Sequence, residues 1–133
     1  MQVLHVLARE QWELKMGHRS SPDIEKPKAE EQDLARKFRH LVAAWKERTE
    51  NLSSVTRMAM DPAYQQIIGM GPAVLPLLLD ELAREPDHWF WALWAITGSD
   101  PVPSESRGKV GEMAQAWLKW GQEHGYLAEK HVA

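Results

Sequence analysis

The residues of this chain that can move protons or hold a metal are six histidines and nineteen aspartates and glutamates, with no cysteine. The absence of cysteine removes disulfides, thiol nucleophiles and thiolate metal sites together. His5, His18, His40, His88, His124 and His131 are scattered and form neither an H-x-x-x-H pair nor an H-E-x-x-H motif, so no metal site is expected. His88 stands beside Asp87 at an expected helix start, where the helix dipole disfavours the imidazolium form. Acid–base work there would need a third partner and a pocket, so His88 reads as a capping or surface residue. Asp80, Glu81, Glu85 and Asp87 form an acidic cluster. Carboxylates acting as an acid and base couple need unequal burial to separate their pKa values. These sit at loops and helix ends, which predicts a solvated rim suited to docking a basic partner. The Gly69-Met-Gly71 turn lacks the Lys and Ser/Thr of a phosphate loop. No G-x-S-x-G occurs around any serine. No catalytic residue, cofactor or metal is expected, and an enzyme ranks behind the two binding readings below.

Lys plus Arg number 16 against 19 acids, a net charge of −3, which does not mark a nucleic-acid or membrane-surface binder. The most basic stretch holds Arg36, Lys37, Arg39, His40, Lys46 and Arg48, interleaved with Glu30, Glu31, Asp33, Glu47 and Glu50. Mixed signs read as a solvated helix face. Phosphate contact by Arg36, Lys37, Arg39 and Lys46 on a helix over 34–50 is the alternative reading. Neither helix-turn-helix nor zinc-finger signatures accompany it. The compositional oddity is seven tryptophans against two Phe and two Tyr. In the segment WFWALW, Trp89, Leu93 and Ile96 share one helix face, Phe90, Trp94 and Thr97 the next, and Trp91 and Ala95 a third. A helix apolar all round is central. Trp89, Phe90 and Leu93 are expected in the core. Trp91 and Trp94 are the candidates for a partner surface, because Trp is enriched at interface hot spots.

The elements that must position these residues follow from periodicity and punctuation. At 133 residues the chain suits one core. Residues 1–16 read as a helix of mixed spacing, and 17–28, with Gly, Ser and two prolines, as a linker. This divides the chain into an N-terminal segment, 1–28, and one domain, 29–133. Residues 29–50 form an amphipathic helix with Leu34, Phe38, Leu41, Val42 and Trp45 on one stripe. A short helix is expected over 55–60. Asp61-Pro62 then opens another, with Tyr64, Ile67 and Ile68 inward and Gly69 closing it. Gly71-Pro72 begins the next, striped by Leu75, Leu78, Leu79 and Leu82, with a bend at Pro76. Asp87 is the expected N-cap of a helix over 88–97, ended by Gly98. Asp100-Pro101-Val102-Pro103 is a rigid turn. A last helix over 106–124 carries Val110, Met113 and Trp117 with Leu118 or Trp120. No strand alternation occurs, so the fold class is all-α, a compact helical bundle. Charge enters the first residues before an apolar signal region forms, and the longest apolar runs fall far short of the ~20 residues that span a bilayer. A cytoplasmic protein is expected, with no membrane partner.

The stretch MGPAVLPLLLDELAREPDHWFWALWAITG, residues 70–98, resembles a HEAT repeat. Its first half is similar to the family's A helix, with glycine followed by Ala-Val-Leu-Pro-Leu, and its second ends in Ala-Ile-Thr-Gly like a B helix. Where the family's B helix opens with Val-Arg, His88-Trp89-Phe90-Trp91 stands here. Solenoids need about three repeats for stability. The resemblance therefore implies one HEAT-like hairpin closed by other helices. The Trp-rich C-terminal half also resembles that of small uncharacterised bacterial proteins. The functional expectation is a non-enzymatic protein-interaction module: an adaptor, a regulator or an antitoxin-like binder of a protein partner. Its expected surface joins Trp91 and Trp94 to the acidic edge at Asp80, Glu81 and Glu85.

Overall fold

The computed structural model describes the backbone of residues 20–127 and the side chains of residues 29–127. The helix expected over 1–16 lies outside the described residues. Six α-helices follow one another, with no strand among the described residues: α1 (Ser20–Thr49), α2 (Val55–Ala59), α3 (Pro62–Gly69), α4 (Leu75–Arg84), α5 (Phe90–Thr97) and α6 (Val110–Glu123). Short 3₁₀ turns at Gly71–Val74 and Ser104–Ser106 lead into α4 and α6. The protein is an all-α helical bundle. It divides into two units, Met1–Arg36 and Lys37–Ala133. The described part of the first is the N-terminal portion of α1, and the second holds everything that follows. Among the described residues no single helix is long and apolar enough to cross a membrane.

Four boundaries differ from those expected. Residues 20–28 are helix rather than linker. The bend expected at Pro76 falls earlier. Gly71 takes φ +73°, α3 and the segment 71–84 are bent by 107°, and Pro76 sits harmlessly in the first turn of α4. α5 starts at Phe90 rather than His88, because the Asp87 carboxylate accepts from the His88 N–H (2.7 Å) instead of from the helix. α6 starts at Val110 rather than 106, because Gly108 at φ +85° interrupts the helical path after the 3₁₀ turn.

The core of the second unit is aromatic at its centre. Trp45 from α1, Tyr64 from α3 and Trp89 just ahead of α5 are all buried, with ring centroids 4.4 to 5.5 Å apart. Such tilted and stacked pairs add roughly 0.5–1.5 kcal/mol beyond their area burial. The stripe Leu75, Leu78, Leu79 and Leu82 completes the core with Leu93, Trp117 and Leu118. The main helix packing joins α4 to α6 and α3 to α5; the α4–α5 pair, the two halves of the expected hairpin, is not among the closest. Gly121 lets α6 approach α4, since a β-carbon there would lie 2.6 Å from the Leu79 side chain.

Polar groups lock these contacts. The Trp45 indole donates to the Met58 carbonyl (2.8 Å). The Tyr64 hydroxyl donates to the His88 carbonyl and accepts from the Ala92 N–H, both at 3.0 Å. The residue capping α5 is Trp89, whose side chain offers no acceptor. A tyrosine from another helix therefore satisfies an N–H that a local Ser or Asp ordinarily serves. Burial pushes the Tyr64 phenol above its ordinary pKa, against the favourable Ala92 N–H.

Tyr64→Phe is expected to cost about 1–3 kcal/mol, because it leaves a buried donor and acceptor unmet. Alkaline unfolding checks the same group. The native phenol resists ionisation, so stability should fall as pH rises above about 10, where the unfolded chain loses its proton first. Denaturant unfolding of the variant, showing a smaller loss and an unchanged alkaline limb, would contradict this. Leu93→Ala should cost about 2–5 kcal/mol, against nearly nothing for the exposed Lys119→Ala.

Candidate functional site

Three segments enclose an apolar groove of about 480 Å³. α5 contributes Phe90, Trp91 and Trp94, at steps of one and three on neighbouring helix faces. The connection to α6 contributes Asp100, Val102 and Arg107, and α6 contributes Met113 and Trp117. Val102 and Trp117 are buried and form the floor. Phe90 and Trp91 are half-buried and packed against the core, so Phe90, expected in the core, lies at its edge and also lines the groove. Trp94 is 55% exposed and is one of three large hydrophobics that stand open to solvent among the described residues, with Val55 and Met60.

The connection is held by its own chemistry. Gly98, at φ +70°, ends α5 by donating to the Trp94 carbonyl (2.8 Å). Pro101 and Pro103 restrict the chain on both sides of Val102. One Asp100 carboxylate oxygen accepts from the Val102 N–H (3.2 Å), and the other pairs with Arg107. The Arg107 guanidinium holds the Asp100 carboxyl below its ordinary range, with the Val102 N–H acting in the same direction against some burial. From the 3₁₀ turn, the Ser106 hydroxyl donates a 2.9 Å hydrogen bond to Glu112 in α6.

The expected partner surface divides in two. Trp91 and Trp94 line the groove, whereas Asp80, Glu81 and Glu85 do not. Glu81 is buried, not a rim residue, and pairs with Lys46 (3.1 Å) and Arg84 (3.0 Å). Glu85 also pairs with Lys46, and Asp80 with Arg84 (3.2 Å). The edge is therefore a mixed-sign network linking α1 to α4 rather than a one-signed acidic rim. Sequence distance hid this, since Lys46 lies 35 residues before Glu81, with α2 and α3 between them.

The same pairing removes cations from the basic helix. Arg36 is bound to Asp33 (2.6 Å), and Lys46 to the two glutamates. Arg48 grips Asp61 through two hydrogen bonds of 2.7 and 2.8 Å. Lys37 and Arg39 are exposed. His88 contributes its backbone to the Tyr64 clasp. Among the described residues no group of three or more His, Asp or Glu is arranged to hold a metal.

Asp100 and Arg107 are the site residues that sequence reasoning missed. The Asp-Pro-Val-Pro turn was visible, but its pairing with an arginine beyond the 3₁₀ turn becomes apparent only once the loop closes. Comparison with family models, with curated proteins and with solved structures finds no match for this chain.

Asp61 combines two roles, since it also accepts from the Ala63 N–H (2.8 Å) at the start of α3. The Arg48 hydrogen bonds outweigh burial and hold its carboxyl below the usual range. A depressed native pKa contributes stability that is present above the unfolded value near 4 and is lost as pH falls through the native one. Asp61→Ala should cost about 1–2 kcal/mol at neutral pH and show a shallower decline below about pH 4. Parallel acid-unfolding curves for the variant and the parent would contradict this assignment.

Proposed function

We propose that this chain is a non-enzymatic protein-interaction module that receives an apolar side chain of a protein partner in the groove between α5 and α6. The observation that carries the reading is Trp94, half exposed at the mouth of an apolar groove of about 480 Å³. Interface hot spots are rich in tryptophan and centre on pockets that exclude water. Among the described residues, the titratable side chains lining the groove are Asp100 and Arg107, which pair with each other. The Asp100 carboxylate is held by Arg107 and by the Val102 N–H, an arrangement that suits a wall of a binding site. On sequence, the HEAT-like stretch 70–98 supports the same reading, since repeats of that kind serve as binding scaffolds. The basic helix offers less to phosphate, because Arg36, Lys46 and Arg48 are already engaged by carboxylates.

The test is affinity for a partner recovered from the native host. Trp91→Ala and Trp94→Ala, each shown to fold by circular dichroism, should weaken binding by roughly 2 kcal/mol, about 30-fold in Kd. Arg36→Ala with Arg39→Ala should leave Kd nearly unchanged. Loss of binding in the arginine variant, with both tryptophan variants binding normally, would place the interface on α1 instead.

A further inference from the structure

We infer that the α5–α6 groove selects an acidic, apolar peptide segment: one large hydrophobic side chain with an Asp or Glu carboxylate beside it. This rests on the groove being the partner site. Both Asp100 oxygens are engaged, one by the Val102 N–H and one by Arg107. Arg107 contacts Asp100 through a single nitrogen, and its remaining guanidinium N–H groups meet no acceptor among the described residues. Its side chain is 55% exposed. The Trp91 and Trp94 indoles are donors only, and neither is hydrogen-bonded to a described residue. Each Asp100 oxygen keeps a second lone pair, but the free guanidinium N–H groups of Arg107 outnumber these, so the larger side-chain capacity left is donor capacity, beside a floor of Val102, Met113 and Trp117.

A carboxylate meets the larger set, the Arg107 donors, whereas an ammonium finds only the second lone pairs of Asp100, whose charge Arg107 already offsets. A planar guanidinium takes a carboxylate in a fixed geometry while retaining another on its opposite edge. A dianionic phosphate fits less well, because Asp100 already places a negative charge against the single guanidinium. Capture of a chain's terminal carboxylate ordinarily uses a nest of backbone N–H groups, and the Val102 N–H is already given to Asp100. The carboxylate is thus assigned to a side chain.

The experiment uses the full chain and short labelled peptides, amidated at the C-terminus, carrying Leu-Phe flanked by Glu, Gln, Lys or phosphoserine. Fluorescence anisotropy should show the Glu peptide binding about fivefold tighter than the Gln peptide, the upper value for an exposed ion pair, and the Lys peptide weakest. Arg107→Gln should bring the Glu and Gln peptides to equal affinity, read as the ratio of their two Kd values. Asp100→Asn should tighten the Glu peptide by freeing the guanidinium, whereas a purely structural role for Asp100 would loosen it. Equal binding of the Glu and Gln peptides, still lost in Trp94→Ala, would overturn this inference and leave the protein-binding reading standing. Failure of the Glu peptide to bind, or tighter binding of the phosphoserine peptide, would also overturn it. So would a free-acid Gln peptide outbinding the amidated Glu peptide. Binding of the Glu peptide unaffected by Trp94→Ala would overturn both readings.

Discussion

The hydroxyl of Tyr64 is the contact on which the rest of the second unit depends. It reaches from α3 to the start of α5, donating to the His88 carbonyl and accepting from the Ala92 N–H. Residues 87–89 present no side-chain acceptor to α5: Asp87 is engaged by the His88 N–H, and Trp89 has only a donor. A helix as short as Phe90–Thr97 is marginal without a satisfied N-terminus and tertiary packing. Tyr64 supplies the first. The stack of its ring on Trp89, together with Trp45, supplies much of the second.

The position of α5 then determines where its aromatics go. Trp89, Ala92 and Leu93 are buried, which leaves Phe90, Trp91 and Trp94 facing the connection and α6. The groove thus follows from an apolar helix whose core-facing side is already full. The Asp100–Arg107 pair and buried Val102 hold the opposite wall. Burial on one side and an open aromatic surface on the other belong to one arrangement.

Much of this was legible in the sequence because the signals are local. The stripes Phe38–Val42–Trp45 and Leu75–Leu78–Leu79–Leu82 are buried as their spacing requires. Asp61-Pro62 and Gly98 perform the start and stop that their chemistry suggests. Trp89 and Leu93 lie in the core, and Trp94 lies outside it. What was not legible depends on partners far along the chain. Asp87 resembles an N-cap by position, yet the capping oxygen of α5 comes from Tyr64. Asp80, Glu81 and Glu85 form a run of one sign, yet Lys46 and Arg84 turn it into a paired network. Arg36, Lys46 and Arg48 resemble a phosphate-binding face until their carboxylate partners are brought alongside.

Fluorine NMR of the 5-fluorotryptophan-labelled chain, titrated with a partner, tests the proposal that the open side of α5 receives that partner while its other side carries the fold. Single Trp→Phe variants assign the resonances. The Trp91 and Trp94 signals should shift or broaden on binding while those of Trp45 and Trp89 stay in place. Unmoved Trp91 and Trp94 signals in a saturated complex would contradict it.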